Sequence, residues 1–448
     1  MALTGLEIYK QLPKTNCKDC GFPTCLAFAM KMAAGQVPLD KCPHVTAEGK
    51  AALESASRPP IQVVRIGTDA NEIKVGNETQ LYRHEEKFYR PAAVAVRVSD
   101  TLDEAALAER AKAIGQLVFE RVGTRIKVNL VAVDNASGDA ARFELAAKLA
   151  AEKSGLACVL MSASAANLAR AAAALSGQRP LLYLTDPTDP TEAEAAAAVA
   201  KDNQCPLAVA ADGLEALAEL TPKLAAAGVE ELVLDPGTRT LKETLEALTR
   251  IRRLALKGFR PVGYPAIALT TADDPTMQAV EASTFIVKYA GVVVTDAIEP
   301  WQILPILTTR QDIYVDPQKP VAVEPKLNAV GEVNEQSPLL VTTNFSLSYY
   351  SVEGEVEASR VPAYILSVDT EGTSVLTAWA SDKFNAETIT QAMKKSGIEE
   401  RVAHRKVMIP GFVAVLSAGV EDESGWSVLI GPKEASGIPS YLKNQWQA

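Results

Sequence analysis

Cys17-x2-Cys20-x4-Cys25-x16-Cys42 sets four thiols within 26 residues, while the other two cysteines, Cys158 and Cys205, stand alone. Four thiolates, three on one loop and a fourth returning after a helix, can take the corners of a tetrahedron, as a cubane iron–sulfur cluster requires. Gly21 and Pro23 let that loop fold tightly, and Pro43 follows the last ligand. Structural zinc also accepts four cysteines with a C-x2-C pair. The x4 spacing, the distant fourth cysteine and the apolar surroundings favour [4Fe–4S] over zinc. Cys158 and Cys205 lie in apolar runs and read as small core residues. Cysteines gathered for a metal rather than spread as a disulfide framework point to a reducing compartment.

The remaining chemical inventory is thin. There are three histidines, His44, His84 and His404, and no HExxH, GxSxG, Walker A loop or GxGxxG after a strand. Demanding chemistry must therefore come from a cofactor. With 45 Lys+Arg against 55 Asp+Glu the net charge is −10, without the basic stripe that phosphate backbones select, so nucleic acid is not an expected partner. No apolar run reaches the roughly 18–20 residues of a spanning helix. The first twenty residues lack the basic n-region and apolar core of a signal peptide. The expectation is a cytoplasmic protein with no membrane segment.

A chain of 448 residues is long enough for about three domains. Residues 1–58 carry the cysteines. There Thr4-x-x-Glu7 forms a capping box, with Leu3 and Ile8 placed as a staple, and LAFAMKMAAG reads as a helix closed by Gly35. Residues 59–92, after SRPPIQ, read as a linker with short strands. Across 93–318 the runs AAVAVRV, IKVNLVAVD, LACVLMS, PLLYLTD, PLAVAAD, ELVLDPG, PAIALTT and GVVVTD alternate with Ala- and Glu-rich amphipathic stretches. Eight apolar strands alternating with helices predict a parallel α/β sheet closed as a TIM (β/α)8 barrel, an open doubly wound sheet being the runner-up. Beyond the Pro-rich segment 316–325, the strands PLLVTT, PAYILSVD, KVMIPG and WSVLIGP predict a small doubly wound (Rossmann-like) domain over 319–448.

Ligands of open α/β sheets sit beyond the carboxyl ends of the strands. Those ends read Thr342-Thr343-Asn344-Phe345-Ser346, Asp369 to Ser374, Pro410-Gly411-Phe412 and Gly431 to Gly437. All are rich in Gly, Ser and Thr, which suits a large flat ligand edged by backbone amides. The same residues also serve as ordinary turn and N-cap chemistry, and the two readings weigh about equally.

The segments CKDCGFPTCLAFAMKMAAG with Cys42, DTEGTSVLTAW and LIGPKEASGIPSYL, around a (β/α)8-like centre, resemble the large (gamma) subunit of the corrinoid iron–sulfur proteins of the acetyl-CoA (reductive CO-fixation) pathway, the acetyl-CoA decarbonylase/synthase family. The resemblance covers essentially the whole chain. It implies a small N-terminal [4Fe–4S] domain, a central TIM barrel, a C-terminal corrinoid-binding domain and a heterodimer with a smaller TIM-barrel subunit. It implies that Cys17, Cys20, Cys25 and Cys42 ligate the cluster. Thr370, Glu371, Gly372 and Thr373 would face the lower side of the corrin, with Thr373 nearest the cobalt and acting there. Leu340, Thr343, Phe345, Ser346 and Ser374 would line the corrin edge or the nucleotide tail. Gly411, Phe412, Gly431, Pro432, Glu434 and Ala435 would complete the cradle.

Many cobamide domains supply a cobalt ligand from Asp-x-His-x-x-Gly, a motif this chain lacks. A threonine hydroxyl is a poor ligand, so the resemblance implies cobalt held base-off and His-off, which favours four-coordinate Co(I). Co(I) would then take a methyl group from methyltetrahydrofolate on a separate methyltransferase and pass it to acetyl-CoA synthase. The cluster would return stray Co(II) to Co(I). Segment 316–325 would serve as hinge or as rigid spacer. Two other readings stay open. One is a pterin-binding TIM-barrel methyltransferase with an accessory cluster, using Asp134, Asp186, Asp212, Asp235 and Asp296 at the strand ends. The other is an iron–sulfur electron-transfer protein without corrinoid.

Overall fold

The capping box forms as its spacing predicts: the Glu7 amide donates to Thr4 Oγ1 at 3.3 Å and the Thr4 amide to Glu7 Oε2 at 2.8 Å, opening the helix Gly5–Gln11. The computed structural model describes residues 4–33, 36–46, 48–50, 53, 59–186 and 189–446. Leu3 of the expected staple, Gly35 at the expected helix end and the boundary residue 58 lie outside the described residues. The second N-terminal helix runs Cys25–Ala33 and packs against the first through Ile8, Phe28 and Ala29, each nearly sealed from solvent. By its contacts the chain divides into two compact units, Met1–Phe119 with Ile126–Tyr314, and Glu120–Arg125 with Val315–Ala448.

In the first unit β1 (Val64–Ile66) and β2 (Ile73–Val75) form an antiparallel hairpin. Val64, Ile66 and Val75 are fully buried and share one core with Ala95, Leu130, Val159 and Tyr183 of the barrel interior. Gly67 N donates to Arg179 O, and Asn71 Nδ2 to Gly155 O, both at 2.9 Å. Both acceptors lie just ahead of barrel strands, so the hairpin plugs the N-terminal mouth. Part of the stretch expected as a linker is thus structural cargo of the barrel. Ile66→Ala is expected to destabilise this unit by about 2–5 kcal/mol, the cost of an unfilled buried site, read from the midpoint of denaturant unfolding.

The eight expected runs become β3 (Ala93–Ser99), β6 (Leu130–Asp134), β7 (Ala157–Ser162), β8 (Leu181–Leu184), β9 (Leu207–Ala210), β10 (Leu232–Asp235), β11 (Ala266–Leu269) and β12 (Ala290–Thr295). Each pairs in parallel with the next, and β12 pairs with β3 to close the barrel. Alternation serves two cores: Ala93 and Ala95 point inward, while Val94, Val96 and Val98 meet the outer helices. IKVNLVAVD is not one strand. Its first half joins the hairpin β4 (Val118–Arg121) and β5 (Thr124–Lys127), and only Leu130 onward enters the barrel. Asn129 makes the break, its amide donating to Val94 O and its Oδ1 accepting from Val94 N and from buried Arg310.

In the second unit β13 (Leu327–Val330), β14 (Leu339–Thr343), β15 (Ala363–Val368), β16 (Lys406–Ile409) and β17 (Ser427–Ile430) order as β13-β15-β14-β16-β17. The last four are parallel, and β13 adds an antiparallel edge. Helices cover both faces, giving one core around Leu339, Val341 and Phe384 and another around Leu340, Val356 and Ile365. This is a doubly wound sheet whose strand order reverses between β14 and β16. Among the described residues no helix is long and apolar enough to cross a membrane.

Candidate functional site

Three of the four clustered cysteines gather in the N-terminal core: Cys25 and Cys42 are buried and Cys20 packs beside them, while Cys17 is exposed. Asn16 Oδ1 accepts from Cys25 N at 2.8 Å, and Gly21 N donates to Lys18 O at 2.8 Å, which folds the loop back on itself. Lys14, Asn16 and Lys18 all hold positive φ (58°, 50° and 69°), as does Gly21. These left-handed residues let the segment bearing Cys17 and Cys20 turn tightly. The donor set, four cysteines on and beside one small core, fits a tetrathiolate cluster. Cys17 Sγ, a carboxylate oxygen of Asp19 and a ring nitrogen of His44 also lie within 4.8 Å of one another. His44 Nε2 and Asp19 Oδ2 are 2.5 Å apart, and that contact, with help from Cys17, holds the Asp19 carboxyl below its ordinary range. By contrast, burial pushes the Cys158 thiol up to about 12 and the Cys205 thiol up to about 11, as inert core residues should be.

A cleft of about 420 Å³ opens at the carboxyl ends of β14, β16 and β17, at the reversal of strand order. That is where open α/β sheets bind ligands. Leu340, Phe345, Ser374, Phe412, Gly431, Pro432, Glu434 and Ala435 line it, as expected positions do in part. Leu347, Leu376 and Phe412 around it stay 51%, 46% and 44% exposed, an uncovered apolar rim. A cavity of this size with an apolar rim and amide edges fits a large flat macrocycle or its tail. Gly411 lets two loops close: a Cβ there would stand 2.5 Å from Gly431 O. Gly411 N donates to Pro432 O at 3.1 Å and Gly431 N to Ile409 O at 2.9 Å.

Other expected residues sit beside the cleft. Thr343 is fully buried on the sheet face of Leu339 and Val341, its Oγ1 without a hydrogen-bond partner. Ser346 begins the helix Ser346–Ser359 and donates its amide to Val321 O at 2.9 Å. Thr370 to Thr373 form a tight turn, closed by Thr373 N to Thr370 O at 3.2 Å, with Glu371 and Gly372 at φ 55° and 72°, as in a type I′ turn. Glu371 projects into solvent with Lys383 Nζ 2.5 Å from its carboxylate. Ser348 and Ser351 line the cleft without having been expected there. Their i, i+3 spacing on one helix face was the available signal.

Segment 316–325 is held along its second half. Val323 N donates to Asn344 O at 2.8 Å, and Ser346 N reaches Val321 O. Any hinge in it is confined to residues before Val321.

The barrel mouth is taken up with its own charges. Asp235 is 1% exposed, accepts the Tyr183 hydroxyl and pairs with Arg239 at 2.8 Å. Burial works against the Arg239 charge, yet the Asp235 contacts outweigh it and raise its pKa. Asp296 holds Arg97 at 2.7 and 2.5 Å, and Asp134 stands 3.9 Å from the same guanidinium. Desolvation raises the Asp134 carboxyl above its ordinary value. Asp212 precedes the helix Gly213–Ala226 without capping it through its side chain. Asp134, Asp235 and Asp296, all expected for a pterin, are thus engaged internally.

The family "CO dehydrogenase/acetyl-CoA synthase delta subunit" matches residues 63–442, and a second, described as "Putative Fe-S cluster", matches residues 12–44. The chain is 48% identical to the corrinoid/iron–sulfur protein large subunit of Moorella thermoacetica over 99% of both chains. It is 37% identical to the acetyl-CoA decarbonylase/synthase complex subunit gamma of Methanothermobacter thermautotrophicus, again over 99% of both. Among solved structures, 7,8-dihydropteroate synthase of Vibrio fischeri overlaps 56% of this chain and 98% of its own at TM-score 0.40 and 12% identity, too distant to bear on chemistry.

Proposed function

Because the chain belongs to the family of corrinoid/iron–sulfur protein large subunits and acetyl-CoA decarbonylase/synthase gamma subunits, we propose that it is the corrinoid-bearing methyl carrier of an acetyl-CoA-forming system. It acts as a methyltransferase component between partner enzymes, without a small-molecule substrate of its own. A cobamide, when bound, would supply the nucleophilic Co(I) chemistry of methyl transfer from methyltetrahydrofolate to acetyl-CoA synthase, and a [4Fe–4S] cluster would supply the one-electron chemistry that returns Co(II) to Co(I). Its partners are a smaller subunit of the same complex, a methyltetrahydrofolate methyltransferase and acetyl-CoA synthase.

One observation carries the reading: an apolar-rimmed cleft at a strand-order reversal lies in the same chain as a four-cysteine loop. Cys17, Cys20, Cys25 and Cys42 would hold the cluster, while Phe345, Ser374, Phe412 and the Gly431 loop would hold the corrinoid. The turn Thr370–Thr373, next to the cleft-lining Ser374, would lie toward the lower side of the corrin. Thr373 Oγ1 donates to Thr370 O at 2.7 Å, so the hydroxyl proton is committed and only a weak neutral oxygen is left to face a metal. A pterin reading is disfavoured by the internally paired Asp134, Asp235 and Asp296. An electron-transfer protein without corrinoid would leave the cleft without an occupant.

The test is methyl transfer in parts. Anaerobic protein is mixed with radiolabelled methyltetrahydrofolate, with and without the methyltransferase. Label should reach protein-bound corrinoid only when the methyltransferase is present and should leave on addition of acetyl-CoA synthase. Methylation by this chain alone would point back to a pterin site in the barrel.

A further inference from the structure

Asn344, the residue after β14, is 3% exposed, and its side-chain oxygen accepts three hydrogen bonds from the 370–373 turn. Its Oδ1 accepts from Thr370 N at 2.9 Å, from Thr370 Oγ1 at 3.0 Å and from Gly372 N at 3.0 Å. Its Nδ2 donates to Asp369 Oδ1 at 3.2 Å, and the same carboxylate oxygen accepts from Glu371 N at 3.1 Å. The Asn344 backbone is fixed on both sides, its amide donating to Val368 O and its carbonyl accepting from Val323 N, each at 2.8 Å. One amide side chain thus ties the end of β14 to a turn whose two central residues sit in left-handed backbone, a conformation costly for Glu371 unless the surroundings over-determine it.

We propose that Asn344 is a positioning residue for the lower face of the corrin site, acting through the Thr370–Thr373 turn. The inference rests on the proposed function, under which Thr373 lies nearest the cobalt. With the turn pinned, Thr373 keeps its hydroxyl on Thr370 O and no oxygen ligand closes on the metal. Released, the turn admits water or a loop oxygen to the lower face. An added axial donor favours Co(II), which accepts it, over four-coordinate Co(I), which does not. Asn suits the task where Asp does not: a carboxylate could accept the same three bonds but would face Asp369 with like charge.

The test compares wild type with Asn344→Ala and Asp369→Ala. Asp369 is exposed, so its replacement leaves the fold intact while removing the bond that orients the Asn344 amide. In corrinoid-free protein, hydrogen exchange at the Thr370 and Gly372 amides should be about tenfold faster or more in Asn344→Ala. In corrinoid-loaded protein poised at a fixed potential, the Co(I)/Co(II) ratio should fall about tenfold, equivalent to about 59 mV for a one-electron couple. Asp369→Ala should shift the ratio in the same direction by less. An unchanged ratio in both variants, whatever their melting temperatures, overturns the role of Asn344 and leaves the proposed function standing. Wild-type protein that takes up no corrinoid overturns both.

Discussion

Cys20→Ala removes reductive rescue while leaving methyl uptake by already reduced protein intact. The expected fall in rescue rate exceeds the roughly 10–100-fold that loss of even an outer partner costs a metal site, because a direct ligand is gone. Cys20 is the informative position. Cys25 and Cys42 are 6% and 9% exposed within the small N-terminal core, so replacing them also damages packing. Cys17 has Asp19 and His44 within 4.8 Å, donors able to take over its corner. Cluster absorption and its reduced-state paramagnetism report the loss directly. A strong chemical reductant that reaches the metal centre without the cluster should restore methyl uptake. Undiminished rescue by a protein electron donor would contradict an electron path through these cysteines.

The second large effect comes from filling the cleft. Ser348 is half-buried and lines it from the helix Ser346–Ser359. Ser348→Trp places an indole where a corrinoid or its nucleotide tail would lie. Corrinoid affinity should fall at least 100-fold, about 2.7 kcal/mol, with thermal unfolding of the corrinoid-free protein little changed. Ser348→Ala, which removes one hydroxyl and adds no bulk, should bind within a few-fold of wild type. Titration of corrinoid-free protein followed by corrin absorbance measures both. Full uptake by the tryptophan variant would mean that the ligand sits elsewhere.

The cysteine-bearing segment was readable because it is local: spacing alone places Cys17, Cys20 and Cys25 on one short stretch that leads into the helix Cys25–Ala33. The barrel was readable for a related reason, since eight runs of buried strand residues carry their own period and length. IKVNLVAVD misled because its break depends on partners far away. Asn129 is pinned by Val94 and by Arg310, 35 and 181 residues distant, and nothing in the local pattern marks it. The plug formed by Val64, Ile66 and Val75 shows only three-residue strands, too short to distinguish from linker. Asn344 looked like ordinary turn chemistry after a strand. Its partners Thr370 and Gly372 lie 26 and 28 residues on, so its function exists only in the folded pairing of β14 with β15. The order reversal between β14 and β16, which fixes where the cleft opens, is likewise a pairing property that strand sequences do not encode one at a time.

The central claim is that one chain carries both a corrinoid and a low-potential cluster wired to it. Spectroelectrochemical titration of anaerobically purified protein, with metals quantified on the same sample, tests it most directly. The expected result is one cobalt and four irons per chain, corrin bands that interchange between Co(II) and Co(I), and a separate cluster transition. Cluster absorption with no cobalt and no corrin bands, in protein produced with cobamide available, would contradict it.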